Sequence, residues 1–265
     1  MGAKYGQHFL RSTRKLLWIT AQINPRANDS IIEIGCGHGE LTGFLVKRCG
    51  TFWGVELDAR LFNILKEKFF SAPNMHLVNA DFLGWNGPDT GKEFRFVGNL
   101  PYYQATVIID RVVSDELSWQ DAHFLVQKEV AERICAPPGR RQRGWFSIWV
   151  QTFASAEILG FIAPRFFFPP PKVDSALVRL TRLARPSIDK TDKETFRGFL
   201  HSCFAQKRKT LLNNLEHNFG EQFSKAETKE LITNLSIDGM ARAEAVELKP
   251  MVELFYKFVE LGVFS

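Results

Sequence analysis

Three short segments carry glycines and carboxylates in an order that suits a nucleoside ligand. The first is Glu33-Ile34-Gly35-Cys36-Gly37-His38-Gly39, at the end of an apolar run. Glycines there let the backbone pass close to a ligand and reach conformations other residues avoid. Their GxGxG spacing differs from the GxGxxG of pyrophosphate binders, in which a helix N-terminus holds the phosphate. The second segment, Val55-Glu56-Leu57-Asp58, lies about 20 residues on, where dinucleotide folds place the acid that binds ribose. Glu56 can accept both hydroxyls of an adenosine ribose. In the third, Asn79-Ala80-Asp81-Phe82, Asp81 can take the exocyclic amine of an adenine. Singly, the glycines make only a turn and Glu56 only caps a helix. Three successive strand tips at one sheet edge favour a nucleoside cofactor.

A fourth segment, Gly98-Asn99-Leu100-Pro101-Tyr102, points to a reaction. Pro101 stiffens the turn, Asn99 offers a carbonyl acceptor and Tyr102 an aromatic face. An adenine N6 is a poor nucleophile because its lone pair is delocalised into the ring. Hydrogen bonds from N6–H to the Asn99 side chain and to a backbone carbonyl of the turn, which includes Leu100 and Pro101, favour a more tetrahedral nitrogen. Tyr102 can stack on an extruded base, worth about 1–3 kcal/mol. No strong general base is required, since the proton can leave after a methyl group arrives.

The elements that must position these segments alternate in type. Strand-like runs at 30–35, 51–56, 75–79, 94–98 and 122–127 are interleaved with amphipathic stretches such as 40–49 and the Asp58-capped run to about residue 70. The expected fold is α/β, a doubly wound, mostly parallel sheet. Two late β-rich runs, 155–162 and 173–183, have no helix between them and suggest an antiparallel hairpin at one sheet edge. Beyond Arg185-Pro186 the pattern becomes helical, over 192–204, 206–218, 224–234 and 243–260, with capping boxes at Thr191/Glu194 and Ser224/Glu227. A ligand-binding domain over 1–185 and a small helical domain over 186–265 are expected.

The 265 residues are 45% hydrophobic and 24% charged, which excludes disorder and a disulfide scaffold. No apolar run reaches the roughly 18 residues of a membrane span. The basic first fifteen residues have no apolar core for a secretory signal. Cys36, Cys49, Cys135 and Cys203 are scattered, which suits reduced thiols in the cytoplasm and offers no metal site. Net charge is +5, and residues 186–265 hold 11 basic against 12 acidic residues, so the excess lies earlier. Basic residues cluster in the N-terminal arm (Lys4, Arg11, Arg14, Lys15), at Arg140, Arg141 and Arg143, and at Lys207-Arg208-Lys209. Such clusters point to a polyanion, with nucleic acid first.

The chain resembles the KsgA-type family of small-subunit rRNA adenine N6-dimethyltransferases. The likeness runs from Gly6-Gln7-His8-Phe9-Leu10 through the four segments above and Gln127-Lys128-Glu129-Val130-Ala131-Glu132-Arg133. It continues in Pro169-Pro170-Pro171-Lys172-Val173-Asp174-Ser175 and Gln206-Lys207-Arg208-Lys209-Thr210-Leu211. It implies a class I methyltransferase fold, S-adenosyl-L-methionine as cofactor and small-subunit rRNA within an assembling subunit as partner. A monomer is expected. It also implies that His8, Leu10, Gly35 and Gly37 line the methionine side of the site. Glu56 then holds the ribose, Asp81 the adenine, and Asn99 sits where cofactor and target base meet. The second stacking aromatic falls at Phe167, with Phe166 and Phe168 as core or rim. The helical domain and basic clusters would grip flanking RNA. Cys36 stands where the family commonly has proline, and Tyr103-Gln104-Ala105-Thr106 departs from its usual Asn-Ile-Ser-Thr. Tyr103 is therefore expected to alter the target pocket. Two alternatives are a methyltransferase acting on large-subunit rRNA and a ribosome-assembly or transcription factor whose methylation is dispensable. PPPKVDS and KRKTL disfavour the former, and intact Glu56, Asp81, Asn99 and Tyr102 the latter.

Overall fold

The computed structural model describes residues 7–114 and 118–264. Gly6 and Lys4 of the sequence motifs lie outside the described residues. In chain order the elements are β1 (Phe9–Leu10), α1 (Thr13–Ile23), β2 (Ser30–Ile34), α2 (Thr42–Leu45), β3 (Thr51–Glu56), α3 (Ala59–Lys68), β4 (Met75–Asn79) and β5 (Phe94–Asn99). Then follow α4 (Ala105–Ser114), β6 (Trp119–Gln127), α5 (Lys128–Ile134), α6 (Trp145–Phe153), β7 (Ala154–Ile162), β8 (Phe167–Phe168) and β9 (Ser175–Arg182). The helices α7 (Lys193–Cys203), α8 (Leu211–Phe219), α9 (Lys225–Asn234) and α10 (Leu248–Glu260) complete the chain.

Among the described residues, seven strands form one sheet in the order β4-β3-β2-β5-β6-β9-β7. β2 is buried at every position, the mark of a strand covered on both faces. β3 and β5 flank it in parallel, with Ile34 beside Val55 and Glu33 beside Val97. The chain runs outward from β2 through β3 to β4, then returns to the other side of β2 as β5. That reversal is the switch point at which open α/β sheets bind ligands, beyond the carboxyl ends of the strands. The fold class is as the sequence implied. β9 pairs antiparallel with β6, and the late β-rich runs are neighbours at that edge.

Three local readings need correction. The stretch 40–49 is helical only over α2, four residues long, because the chain turns at 46–48 directly after it. Thr191 does not form its capping box; a 3-10 turn at Lys190–Asp192 precedes α7, and Thr191 Oγ1 bonds Asp192 instead. The Ser224/Glu227 box does form at α9. Unforeseen were α1, capped by the Ser12 hydroxyl, and a two-stranded sheet in which Phe9 faces Phe168 and Leu10 faces Phe167. α1 lays Leu16, Ile19 and Ile23 into a core shared with Phe52, Val97 and Leu177.

The chain separates into two compact units. One comprises the described residues up to Ala131 with Ala156–Arg182; the other comprises Glu132–Ser155 and the residues from Leu183 onward. The helical unit thus includes α6, which precedes the boundary expected after Arg185. Its core is aromatic: Trp149, Phe196, Phe199, Phe255 and Phe258 are all fully buried.

Candidate active site

The glycine loop after β2 holds three backbone conformations that side chains rarely adopt, with φ of +72° at Gly35, +61° at Gly37 and +76° at Gly39. Each glycine has its own surroundings. A Cβ at Gly39 would collide with Phe69, and one at Gly37 would press the Phe9 ring at 3.1 Å. A Cβ at Gly35 would meet nothing within 4 Å, because it would project into the cavity itself. Glu56, buried at the tip of β3, accepts from the Gly37 N–H through Oε2 and from the Asp58 N–H through Oε1, both at 2.9 Å. A carboxylate offers about four lone-pair sites. The Gly37 and Asp58 N–H groups take two of these and the Leu57 N–H also stabilises the carboxylate, so what remains of its acceptor capacity is open to a diol.

Asp81 follows β4 and caps the turn Phe82–Gly84, its Oδ1 accepting from the Leu83 N–H at 2.9 Å. It lines a second cavity that shares Gln7, Gly35, Glu56 and Pro101 with the first, so one crevice runs across the tips of β2 to β5. Tyr103, more than half exposed, lines this Asp81 end and not the end beside Asn99. That corrects the expectation that Tyr103 reshapes the target pocket; it borders the stretch suited to an adenine cofactor.

At the tip of β5, Asn99 Nδ2 donates to the His8 carbonyl at 2.7 Å. Since a carbonyl only accepts, the amide orientation is fixed, and Oδ1 makes no hydrogen bond among the described residues. The next carbonyl, of Leu100, is used by none of the turn's own bonds, whereas Pro101 O accepts from the Gln104 N–H. Two acceptors thus stand together at one end of the crevice. The Tyr102 hydroxyl and Ser175 Oγ are 2.7 Å apart, which fixes the phenol ring, and burial holds its pKa above the ordinary value. Tyr102 therefore stays protonated at neutral pH. His8 Nδ1 donates to the Pro169 carbonyl at 2.8 Å, and its ring centroid lies 5.3 Å from that of Tyr102.

A family model described as ribosomal RNA adenine dimethylase matches residues 2–253. The chain belongs to that family. A relative from Shouchella clausii (strain KSM-K16), named ribosomal RNA small subunit methyltransferase A, is 33% identical over 256 residues, which cover 94% of this chain and 86% of the relative. A relative of the same name from Lactococcus lactis subsp. lactis (strain IL1403) is 35% identical, with 95% and 87% covered. Among solved structures, the 23S rRNA methyltransferase ErmE shares 27% identity with a TM-score of 0.75, over 94% of this chain and 98% of that one. A dimethyladenosine transferase from Plasmodium falciparum, at 23% identity and a TM-score of 0.79, shares the fold over 96% of this chain and 98% of that one. Dimethylases of this family use S-adenosylmethionine. The crevice fits that group, for the open face of Gly35, the remaining acceptor capacity of Glu56 and the Asp81 carboxylate all border it.

Within this dimethylase, His8, Leu10, Gly35, Gly37, Glu56, Asn99, Leu100, Pro101 and Tyr102 all border the first cavity, and Asp81 the second. Phe167 does not. Its ring is 4% exposed and sits in the core with Leu10, Leu16 and Ile162, so as placed it presents no face to a base. The reason is the β1–β8 pair, which lays Leu10 against it. Arg143 also departs from expectation. It is 2% exposed and donates through Nη1 to the carbonyls of Glu244 and Val246, and burial brings its pKa down to about 10. It is a buried structural cation, not a phosphate contact. Arg140, Arg141, Lys207, Arg208 and Lys209 are exposed in the helical unit.

Three residues that border the cavity were given no role from sequence: Gln7, His123 and Glu33. Both ring nitrogens of His123 lack a hydrogen-bond partner among the described residues, Nδ1 lying 3.8 Å from Asp121 Oδ1. Burial pushes its pKa down to about 4 against that carboxylate, so the ring is neutral. Glu33 is fully enclosed and accepts from the Thr42 hydroxyl at 2.5 Å. Burial pushes its pKa from 4.5 up to about 8, with Glu40 and Glu56 adding repulsion. A carboxyl shifted upward favours the fold while protonated, and that contribution fades as pH rises from about 4.5 through 8. Glu33→Gln should therefore melt with wild type near pH 4.5 and above it at pH 9, by at most about 5 kcal/mol of stability. Thermal unfolding across this range checks the sign; parallel curves would show that Glu33 does not titrate there.

Proposed function

We propose that this dimethylase transfers two methyl groups to N6 of each of two adjacent adenosines in a hairpin loop near the 3′ end of small-subunit rRNA, during subunit assembly. The observation that carries the reading is the unpartnered Oδ1 of Asn99, held next to the Leu100 carbonyl at the end of the crevice. S-adenosylmethionine supplies an electrophilic methyl on a sulfonium sulfur. Glu56 would hold its ribose hydroxyls and Asp81 its adenine amine, and Gly35 would let it lie against the loop backbone. In the first transfer Asn99 Oδ1 and Leu100 O would accept from the two N6–H groups of the target adenine, and in the second from the single N6–H that remains. These bonds localise the nitrogen lone pair toward the methyl. Each transfer breaks the methyl–sulfur bond to leave a neutral thioether, and the N6 proton is lost to solvent after the methyl has arrived. As positive charge develops on N6, the same two oxygens stabilise it. Tyr102 stacks on the extruded base and, being protonated, takes no proton from it. His8 holds Asn99 in the orientation this needs.

The relatives named ribosomal RNA small subunit methyltransferase A favour small-subunit over large-subunit rRNA, since they match at 33–35% identity against 27% for ErmE. The test is incubation with labelled S-adenosylmethionine and undermethylated small subunits, followed by mapping of the modified nucleosides. Dimethyladenosine at two neighbouring positions is expected, and label found only in large-subunit rRNA would overturn the reading.

The helical unit serves as a phosphate grip through Lys207 and Arg208, both exposed. Lys207→Glu combined with Arg208→Glu should weaken subunit binding and flatten its salt dependence, with cofactor affinity intact. Undiminished binding across a salt titration would make this run a solvated surface.

A further inference from the structure

The small β1–β8 sheet carries an exposed surface that cofactor chemistry does not use. Phe168, on the strand facing Phe9, is 54% exposed, and the Arg11 guanidinium lies 4.0 Å from its ring centroid. The Arg11 N–H also donates to the Phe166 carbonyl, which ties the next ring into the same surface. Arg165 lies 4.8 Å from the Phe166 centroid on one side. Lys15 lies 5.4 Å from it and 5.6 Å from the Trp18 centroid. Cations and aromatic rings thus alternate along one arc. No acid occurs between residues 7 and 28 or between 163 and 173, so its charge is of one sign.

A solvated basic surface would not need rings between its charges. A membrane-binding surface would call for apolar side chains projecting clear of the cations, whereas here the cations lie over the rings. Alternating planar faces and cations match single-stranded RNA, whose bases stack on aromatic rings and guanidinium planes while its phosphates meet the charges. The arc also adjoins the site. His8 and Leu10, which flank Phe9 just before Arg11, border the cavity, and His8 holds Asn99.

We propose that the arc from Phe168 and Arg11 to Trp18 is the track for the single-stranded RNA flanking the target adenosine, with a neighbouring base stacked on the Arg11–Phe168 pair. This rests on the rRNA dimethylase reading above and adds a partner surface to it. The surface lies in the sheet unit, separate in sequence from the Lys207-Arg208-Lys209 run.

The experiment measures binding of the full-length protein to undermethylated small subunits at several salt concentrations, with S-adenosylmethionine affinity and melting temperature in parallel. Phe168→Ala should weaken subunit binding about tenfold with little change in the salt slope. Phe168→Leu, which keeps an apolar side chain without a planar face, should lose nearly as much. Arg11→Gln combined with Arg165→Gln should reduce the slope of log K against log salt by about 0.7 per charge removed. Cofactor affinity should be unchanged in all of them. If wild type methylates small subunits and these variants bind like it, the track is overturned and the dimethylase reading stands. If wild type neither binds nor methylates them, that reading falls and the track with it.

Discussion

Asn99→Ala should lower the rate of methyl transfer by about 10²–10³-fold, the size of effect seen when one preorganised polar group is removed from a developing charge. The loss belongs in kcat, because the acceptor matters most once N6 becomes tetrahedral and positive. Two contacts disappear together. Oδ1 no longer faces the substrate, and Nδ2 no longer holds the His8 carbonyl. The second contact predicts a further, smaller effect: the 7–10 segment loosens, and cofactor affinity declines modestly. Asn99→Asp separates the two, since it keeps an acceptor toward N6 but cannot donate to His8. It should retain more turnover than Asn99→Ala at similar cofactor affinity. Single-turnover kinetics with undermethylated small subunits and calorimetry with S-adenosylmethionine provide the measurements. Full dimethylation by Asn99→Ala would remove the turn from the catalytic centre.

The crevice was legible from sequence because its determinants are local. Gly35, Gly37 and Gly39 sit at positive φ in a turn their own spacing marks, Glu56 ends a strand that its own pattern reveals, and Asp81 comes two residues after the end of another. Once the parallel order is assumed, the tips fall side by side. Pairings between distant segments left no such trace. Phe9 and Phe168 are 159 residues apart and form strands only two residues long, too short for any alternation to register. The surface around them was hidden for the same reason, since Arg11 and Phe168 read separately as a charge and a spare aromatic.

Charge was the other source of misreading. Arg143 joins a run of arginines and looks like part of a basic patch, but the carbonyls of Glu244 and Val246, a hundred residues later, draw it inside. Arg140 and Arg141 meet no such acceptors and remain at the surface. Glu33 shows the reverse. It opens the glycine motif, and only the three-dimensional packing shows that it is enclosed beside Thr42 and lines the cavity. Tyr103 follows the Asn99–Tyr102 turn in sequence, yet α4 begins two residues later, and its ring borders the Asp81 end of the crevice.

Phe167→Ala should destabilise the protein by about 3–5 kcal/mol, the usual cost of emptying a buried aromatic site. A ring that only stacked on a base would show almost no loss in the free protein, so the two roles give opposite results in one measurement. The buried role follows from the packing. Phe167 is 4% exposed, pairs with Leu10 across the small sheet and shares a core with Leu16, Ile19 and Leu177. Leu10, Leu16, Ile19 and Leu177 also border the first cavity. Removing the ring therefore withdraws support from the cavity wall as well as from the fold, and cofactor affinity should fall with stability. Phe167→Leu refills most of the volume and should restore both. Denaturant unfolding of the three proteins, with cofactor binding measured on the same samples, decides the matter. If Phe167→Ala unfolds with wild type and binds the cofactor equally well, but methylates slowly, then Phe167 faces the base during the reaction and the core placement does not describe its working position.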